Sequence, residues 1–254
     1  MKKSGTNPVD PRAQLAQAAD SIRQYLEQER DEGVTAIEVD QTAAPASPGS
    51  STNATVASGS STDGVRKALA EVALSAAGCK KCQLHKTRTK VVPGQGTLSP
   101  EIMFIGEAPG FDEDQQGLAF VGAAGQLLTK MIEAMGLTRD QVFIANILKC
   151  RPPGNRVPLP EEVAACKPYL ETQIAALRPR VLVLLGASAV RALLQVETGI
   201  TRLRGNWATY AGIDAMPTFH PSYLLRMPSA KREAWSDLQA VLSRIGRQPP
   251  PKQK

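Results

Sequence analysis

The sequence predicts an α/β fold of three layers, α/β/α, with a central four-stranded parallel sheet and a flexible N-terminal extension ahead of it. Three observations predict it. From residue 66 onward, short apolar runs alternate with amphipathic helical stretches. The clearest strand, residues 181–185 (VLVLL), is apolar without interruption, as a strand covered on both faces must be. Residues 41–64 (QTAAPASPGSSTNATVASGSSTDG) form a Ser/Thr/Ala/Gly/Pro tract too poor in large apolar groups to fold.

Taken in order, residues 11–30 place Leu15, Ala18, Ile22, Tyr25 and Leu26 on one stripe, which predicts a short amphipathic helix inside the extension. The extension is expected to span 1–65, the folded domain 66–246, and a flexible C-terminal tail 247–254. Residues 102–105 are the first strand, ending in Gly106-Glu107-Ala108-Pro109-Gly110. Residues 122–135 follow as a helix with Leu127, Leu128, Met131 and Met135 inward. Residues 142–148 make the second strand, and 160–177 a helix that carries Cys166. The strand 181–185 is ended by Gly186 and followed by a helix over 187–195. Residues 215–219 are the last strand, running into His220-Pro221-Ser222-Tyr223-Leu224-Leu225-Arg226, and 230–244 close the fold as a helix. Ligands of open parallel sheets bind beyond the carboxyl ends of the strands, where GEAPG, Asn146 and HPSYLLR all emerge.

The chain carries +6 overall, but residues 1–65 hold five Lys or Arg against nine Asp or Glu, so the remainder is +10. That surplus points to a polyanionic partner. No apolar run reaches transmembrane length and the first residues lack an apolar signal core, so the expectation is a cytoplasmic protein with no membrane partner.

All four cysteines fall in the folded part: Cys79 and Cys82 as C-x-x-C, then Cys150 and Cys166 far downstream. In a reducing compartment this reads as four thiolates converging on a metal rather than two disulfides. Zn²⁺ and a [4Fe–4S] cluster both suit four thiolates; a redox dithiol at Cys79 and Cys82 is the plainer alternative.

Five segments in order, GCKKCQLHKTRT, GEAPGFDEDQQGLAFVGAAGQLL, ANILKCRPPGNRVP, the later Cys166 and HPSYLLR, resemble the family 4 uracil-DNA glycosylases, the iron–sulfur members of the uracil-DNA glycosylase superfamily. The resemblance spans roughly residues 70–246. It implies a [4Fe–4S] cluster on Cys79, Cys82, Cys150 and Cys166, and a monomer that flips uracil out of single- or double-stranded DNA and hydrolyses its N-glycosidic bond. It also implies roles at the site. Phe120 stacks on the flipped base, and Asn146 pairs with uracil O4 and N3. His220, one of only two histidines, donates to O2 as negative charge builds on the leaving ring. Glu107 is associated with the water and the sugar cation. Ala108 stands where some superfamily members carry a catalytic Asp or Asn, and Glu113 is expected near uracil C5, excluding thymine's methyl. Leu224 or Leu225 would wedge into the vacated stack with Arg226 on a phosphate. Lys149, Arg151, Arg156, Arg202, Arg204, Lys231 and Arg232 are candidates for the backbone-binding face. His85 reads as structural or DNA-facing. Phe111 departs from the family, whose members commonly have an acidic residue there. A related superfamily member traps its product through a basic insertion before the fourth cysteine, whereas this chain has only CRPPGNRVPLPEEVAAC, which favours turnover. The alternatives are a non-catalytic iron–sulfur DNA-binding module of the same fold and a zinc-ribbon protein.

Overall fold

The computed structural model describes residues 62–251. The amphipathic helix expected over 11–30 lies outside them. The linker ends earlier than expected, because Thr62, Asp63 and Gly64 open helix α1 (Thr62–Ala77), which buries Val65, Val72 and Ala76. Asp63 sits in its first turn, where a carboxylate opposes the helix dipole, and accepts from Arg66.

The sheet has six strands in the order β1-β3-β2-β4-β6-β5. Four are parallel, as expected: β2 (Ile102–Gly106), β3 (Phe143–Asn146), β4 (Val181–Leu185) and β6 (Ile213–Thr218). Two antiparallel edges extend that expectation, β1 (Gln95–Gly96) on β3 and β5 (Ala208–Tyr210) on β6. Side chains along the central strands alternate between two layers. Met103, Ile105, Leu182 and Leu184 face one layer, packing with Leu170 and Ile174 of α4 (Pro160–Leu177). Ile102, Phe104, Val181 and Val183 face the other, with Leu128 and Ile132 of α3 (Ala123–Ala134) and Leu238 and Val241 of α8 (Lys231–Arg244). Three short helices complete the set: α2 (Phe111–Gln116), α6 (Ile200–Leu203) and α7 (Pro221–Arg226), with α5 (Ala187–Leu194) after β4. Among the described residues no helix is long and apolar enough to cross a membrane.

The chain runs from β2 outward to β3, then back across β2 to β4. The two loops at that reversal, after β2 and after β4, therefore diverge and leave a crevice at the carboxyl ends. The far side of the sheet is anchored by Asp237 of α8, which is buried, accepts from Thr218 Oγ1 at 2.7 Å and is paired with Arg204. Removing one member strands the others without partners. Asp237→Ala should lower unfolding free energy by about 3 kcal/mol in urea titrations; a loss under about 1 kcal/mol would contradict this account of the anchor.

Candidate active site

Three of the expected residues converge on the carboxyl end of β2. Gly106 is paired in register with Asn146, and a Cβ on Gly106 would collide with both the Phe120 ring and Asn146 Oδ1. The Phe120 and His220 ring centroids are 5.7 Å apart. Asn146 Oδ1 is buried and has no hydrogen-bond partner. Buried carbonyls without partners are uncommon and cost about 1–3 kcal/mol, so this one asks for a donor.

Phe120 is held in an unusual backbone state, with φ at 54°. A bulky residue there costs about 1–3 kcal/mol and persists only where its surroundings over-determine it. They do here. Glu113 Oε1 accepts from the backbone N–H of Val121 at 2.8 Å and of Gly122 at 2.9 Å, while Oε2 accepts from Gly110 N–H at 3.1 Å. Arg139 donates to the carbonyl of Ala119 at 2.7 Å, and Gly125, without a side chain, lets the Phe120 backbone lie on the first turn of α3. Both oxygens of Glu113 thus accept from backbone N–H groups that shape the Phe120 loop.

His220 is the N-cap of α7, and its Nδ1 accepts the backbone N–H of Ser222 at 3.1 Å and lies 2.7 Å from Ser222 Oγ. A backbone N–H can only donate, so Nδ1 carries no proton and the neutral ring presents Nε2–H as a donor. Burial, with the charge of Arg226 adding to it, pushes His220 down to about 4. The imidazole is therefore neutral across the physiological range.

Glu107 accepts from the hydroxyl of Ser188 at the start of α5, which ties together the two loops of the crevice. Burial raises its carboxyl above the ordinary range, opposed by the Ser188 hydrogen bond and the charge of Arg191. Ala108 is half-buried against the core. In α7, Leu224 is 1% exposed and packs with Phe219, Ala230 and Ala234, so it is core and not a wedge; Leu225, at 44%, is the exposed one, beside exposed Arg226.

None of the four cysteines is in a disulfide, and all line one cavity with Arg88, Leu84, Lys149 and Tyr169. Cys79 and Cys82 follow α1, Cys150 follows β3, and Cys166 rides on α4. Arg88 donates to Cys150 Sγ at 3.2 Å and to the carbonyls of Cys79 and Ala77. Lys149 N–H donates to Cys166 Sγ at 3.2 Å. Burial raises the thiols of Cys150 and Cys166. His85 Nδ1 donates to the carbonyl of Cys82 at 2.7 Å, a local structural role.

The basic candidates divide. Lys149 is buried, with Nζ donating to the carbonyl of Asn146 at 2.8 Å and to Gln173 Oε1 at 2.7 Å, so it is no surface cation. Arg204 is committed to Asp237, and Arg156 forms a two-pronged pair with Glu162 at 2.6 and 2.9 Å. Arg202, Lys231 and Arg232 are exposed. Ser188, Arg139 and Arg88 escaped the sequence reading; the only signal for Ser188 was a small-residue turn, GASA, at a strand's carboxyl end.

The sequence model of the Uracil DNA glycosylase superfamily matches residues 93–239. A type-4 uracil-DNA glycosylase of Archaeoglobus fulgidus is 44% identical over 182 residues, covering 68% of this chain and 90% of that protein. One from Thermotoga maritima is 46% identical over 171 residues, covering 66% and 89%. This chain belongs to the type-4 branch of the uracil DNA glycosylase superfamily. A type-5 member from Pyrobaculum aerophilum is more distant, 35% identical over 150 residues, covering 52% of this chain and 66% of that protein. Within the superfamily match fall Glu107, Phe120, Asn146 and His220, along with Cys150 and Cys166, while Cys79 and Cys82 precede it.

A half-buried neutral histidine leaves a mark on stability. Its unfolded-state value of about 6.5 lies above its folded value of about 4, so the unfolded chain binds the extra proton between them and stability falls as pH drops through that window. Relative to a His220→Gln protein, the wild type should lose roughly 1 kcal/mol per pH unit there, read from urea titrations at several pH values. A pH-independent difference would contradict the assigned neutral ring.

Proposed function

We propose that this protein excises uracil from DNA by hydrolysing the bond between base and sugar, acting as a monomer in the cytoplasm on single- or double-stranded substrate. The observation that carries the reading is the unpartnered, buried Oδ1 of Asn146 beside the Phe120 ring and the His220 imidazole. Uracil N3–H would supply the missing donor, and uracil O4 would accept from the Asn146 amide N–H. Cytosine offers an acceptor at N3 and a donor at its 4-position, so donor meets donor and acceptor meets acceptor. The type-4 relatives, which are named uracil-DNA glycosylases, support the same substrate.

The chemistry follows from the residues. A stacked base is out of reach, so the nucleotide is extruded at a cost of a few kcal/mol, with exposed Leu225 entering the vacated space and Arg226 on a phosphate. Phe120 stacks on the everted ring. As the C1′–N1 bond breaks, its electron pair leaves on the uracil ring and charge accumulates at O2. His220 Nε2–H is aimed there by the bonds at Nδ1, so its hydrogen bond strengthens in the transition state more than in the ground state. Glu107, fixed by Ser188, steadies the cationic sugar and orients the water that adds to C1′, whose proton passes to solvent. The departing uracil anion takes up a proton from solvent, and the products are free uracil and an abasic site. Ala108 brings no base of its own, which leaves electrostatics to carry the rate.

Cys79, Cys82, Cys150 and Cys166 would hold a [4Fe–4S] cluster. The four thiols line one cavity, and a four-iron cube takes one thiolate at each of four corners. When bound, the cluster would supply metal–thiolate bonds joining the end of α1, the loop after β3 and α4, a structural role over more than sixty intervening residues. The domain would begin with α1 at Thr62 and run to 246, the extension over 1–61 being dispensable for excision.

Uracil release from a labelled oligonucleotide, with alkaline cleavage of the abasic product, tests the reading. Asn146→Ala and His220→Ala should each slow single-turnover release by about 10²–10³-fold, and the wild-type rate should show no inflection near pH 6.5. DNA binding with no release by the wild type would leave only a binding module. Anaerobically purified protein should show broad visible absorbance that Cys166→Ala lacks; colourless, iron-free, fully stable wild type would remove the cluster from the account.

A further inference from the structure

Phe111 opens α2 directly after the Glu107–Gly110 turn, and it is 55% exposed. A ring that open contributes little to the core. One of its faces carries the guanidinium of Arg151, 5.0 Å from the ring centroid. Arg151 is itself fixed, with Nε donating to Asn155 Oδ1 at 2.7 Å, and Asn155 adopts left-handed backbone with φ at 57°. The two partners come from the loops that leave β2 and β3, the strands whose carboxyl ends carry Glu107 and Asn146. Those loops stay paired past the strands, Ile147 N–H to the Gly106 carbonyl and Leu148 N–H to the Glu107 carbonyl, both at 3.0 Å. The pair therefore stands at the rim of the site, one face of the ring backed by positive charge and the remainder open to solvent.

We infer that Phe111, backed by Arg151, is a stacking platform for an unpaired nucleobase neighbouring the extruded nucleotide, giving a sequence-independent grip on single-stranded DNA. The inference rests on the DNA-directed reading above and names the substrate form that this site favours. Every base has a π-face, so such a platform ignores sequence, and base–aromatic stacking contributes about 1–3 kcal/mol per base. The guanidinium behind the ring adds a cation close to the phosphate backbone without competing for the free face. In a duplex, the neighbouring bases are already stacked and paired, so the platform engages only where the helix opens.

The test is fluorescence anisotropy of a fluorescein-labelled oligothymidine without uracil, titrated with full-length protein at several salt concentrations. Phe111→Ala should weaken binding about tenfold, equivalent to about 1.4 kcal/mol, with an unchanged slope of log Kd against log salt, because no charge is removed. Phe111→Trp should bind at least as tightly as wild type, and a blunt-ended duplex should be affected far less by Phe111→Ala. Unchanged single-strand affinity in Phe111→Ala, or a loss equal for duplex and single strand, overturns the inference. Uracil release is measured separately on the same wild-type preparation, and its failure would strike the hydrolase reading while the stacking result stands on binding alone.

Discussion

Strand β2 ends at Gly106, and the lack of a side chain there lets the Phe120 ring and the Asn146 amide occupy the same neighbourhood. Neither could reach it past a methyl group. Because β2 and β3 are parallel and in register at Gly106 and Asn146, the amide arrives at the same level as the turn that carries Glu107. The reversal of strand order then brings Ser188 from the far side to hold that carboxylate. One missing side chain at a topological switch point thus sets where the Phe120 ring, the Asn146 amide and the Glu107 carboxylate meet.

The rest of the molecule works to keep that arrangement from relaxing. Phe120 sits in backbone that a bulky residue disfavours, and the cost is offset by Glu113, whose carboxylate gathers three backbone N–H groups from two loops. Hydrogen bonds to a charged group contribute about 1.5–3 kcal/mol, enough to hold a strained residue. On the other flank, Lys149 lines the cysteine cavity and is bonded to the carbonyl of Asn146 and to Gln173, which in turn donates to Pro93. Lys149 thus contacts both Cys166, through its backbone N–H, and Asn146, through its buried side chain.

The parallel sheet was legible because its strands are apolar on both faces and its long helix, Pro160–Leu177, announces itself with Pro at its first position and Glu161 and Glu162 in its first turn. The edges were not, since Gln95–Gly96 and Ala208–Tyr210 are two and three residues long and owe their strand geometry to distant partners. Short α2, six residues long, is too brief to show a helical period. At the site, residue types and motif order singled out Glu107, Phe120, Asn146 and His220, which the fold does gather at the strand ends. What a side chain is bonded to is less readable. Lys149 looked like a surface cation because its partner Gln173 is twenty-four residues away on another element. Leu224 and Leu225 are equivalent by composition, and only packing against Phe219 separates core from surface.

The most direct test of this account is single-turnover excision by Gly106→Ala, with circular dichroism and iron content measured on the same preparation. A protein that keeps its fold and iron but releases uracil at least a hundredfold more slowly, as a misaligned reader and stacking ring demand, is the result the account predicts. Excision at the wild-type rate would contradict it, because Phe120 and Asn146 could not then owe their meeting to the gap at the end of β2.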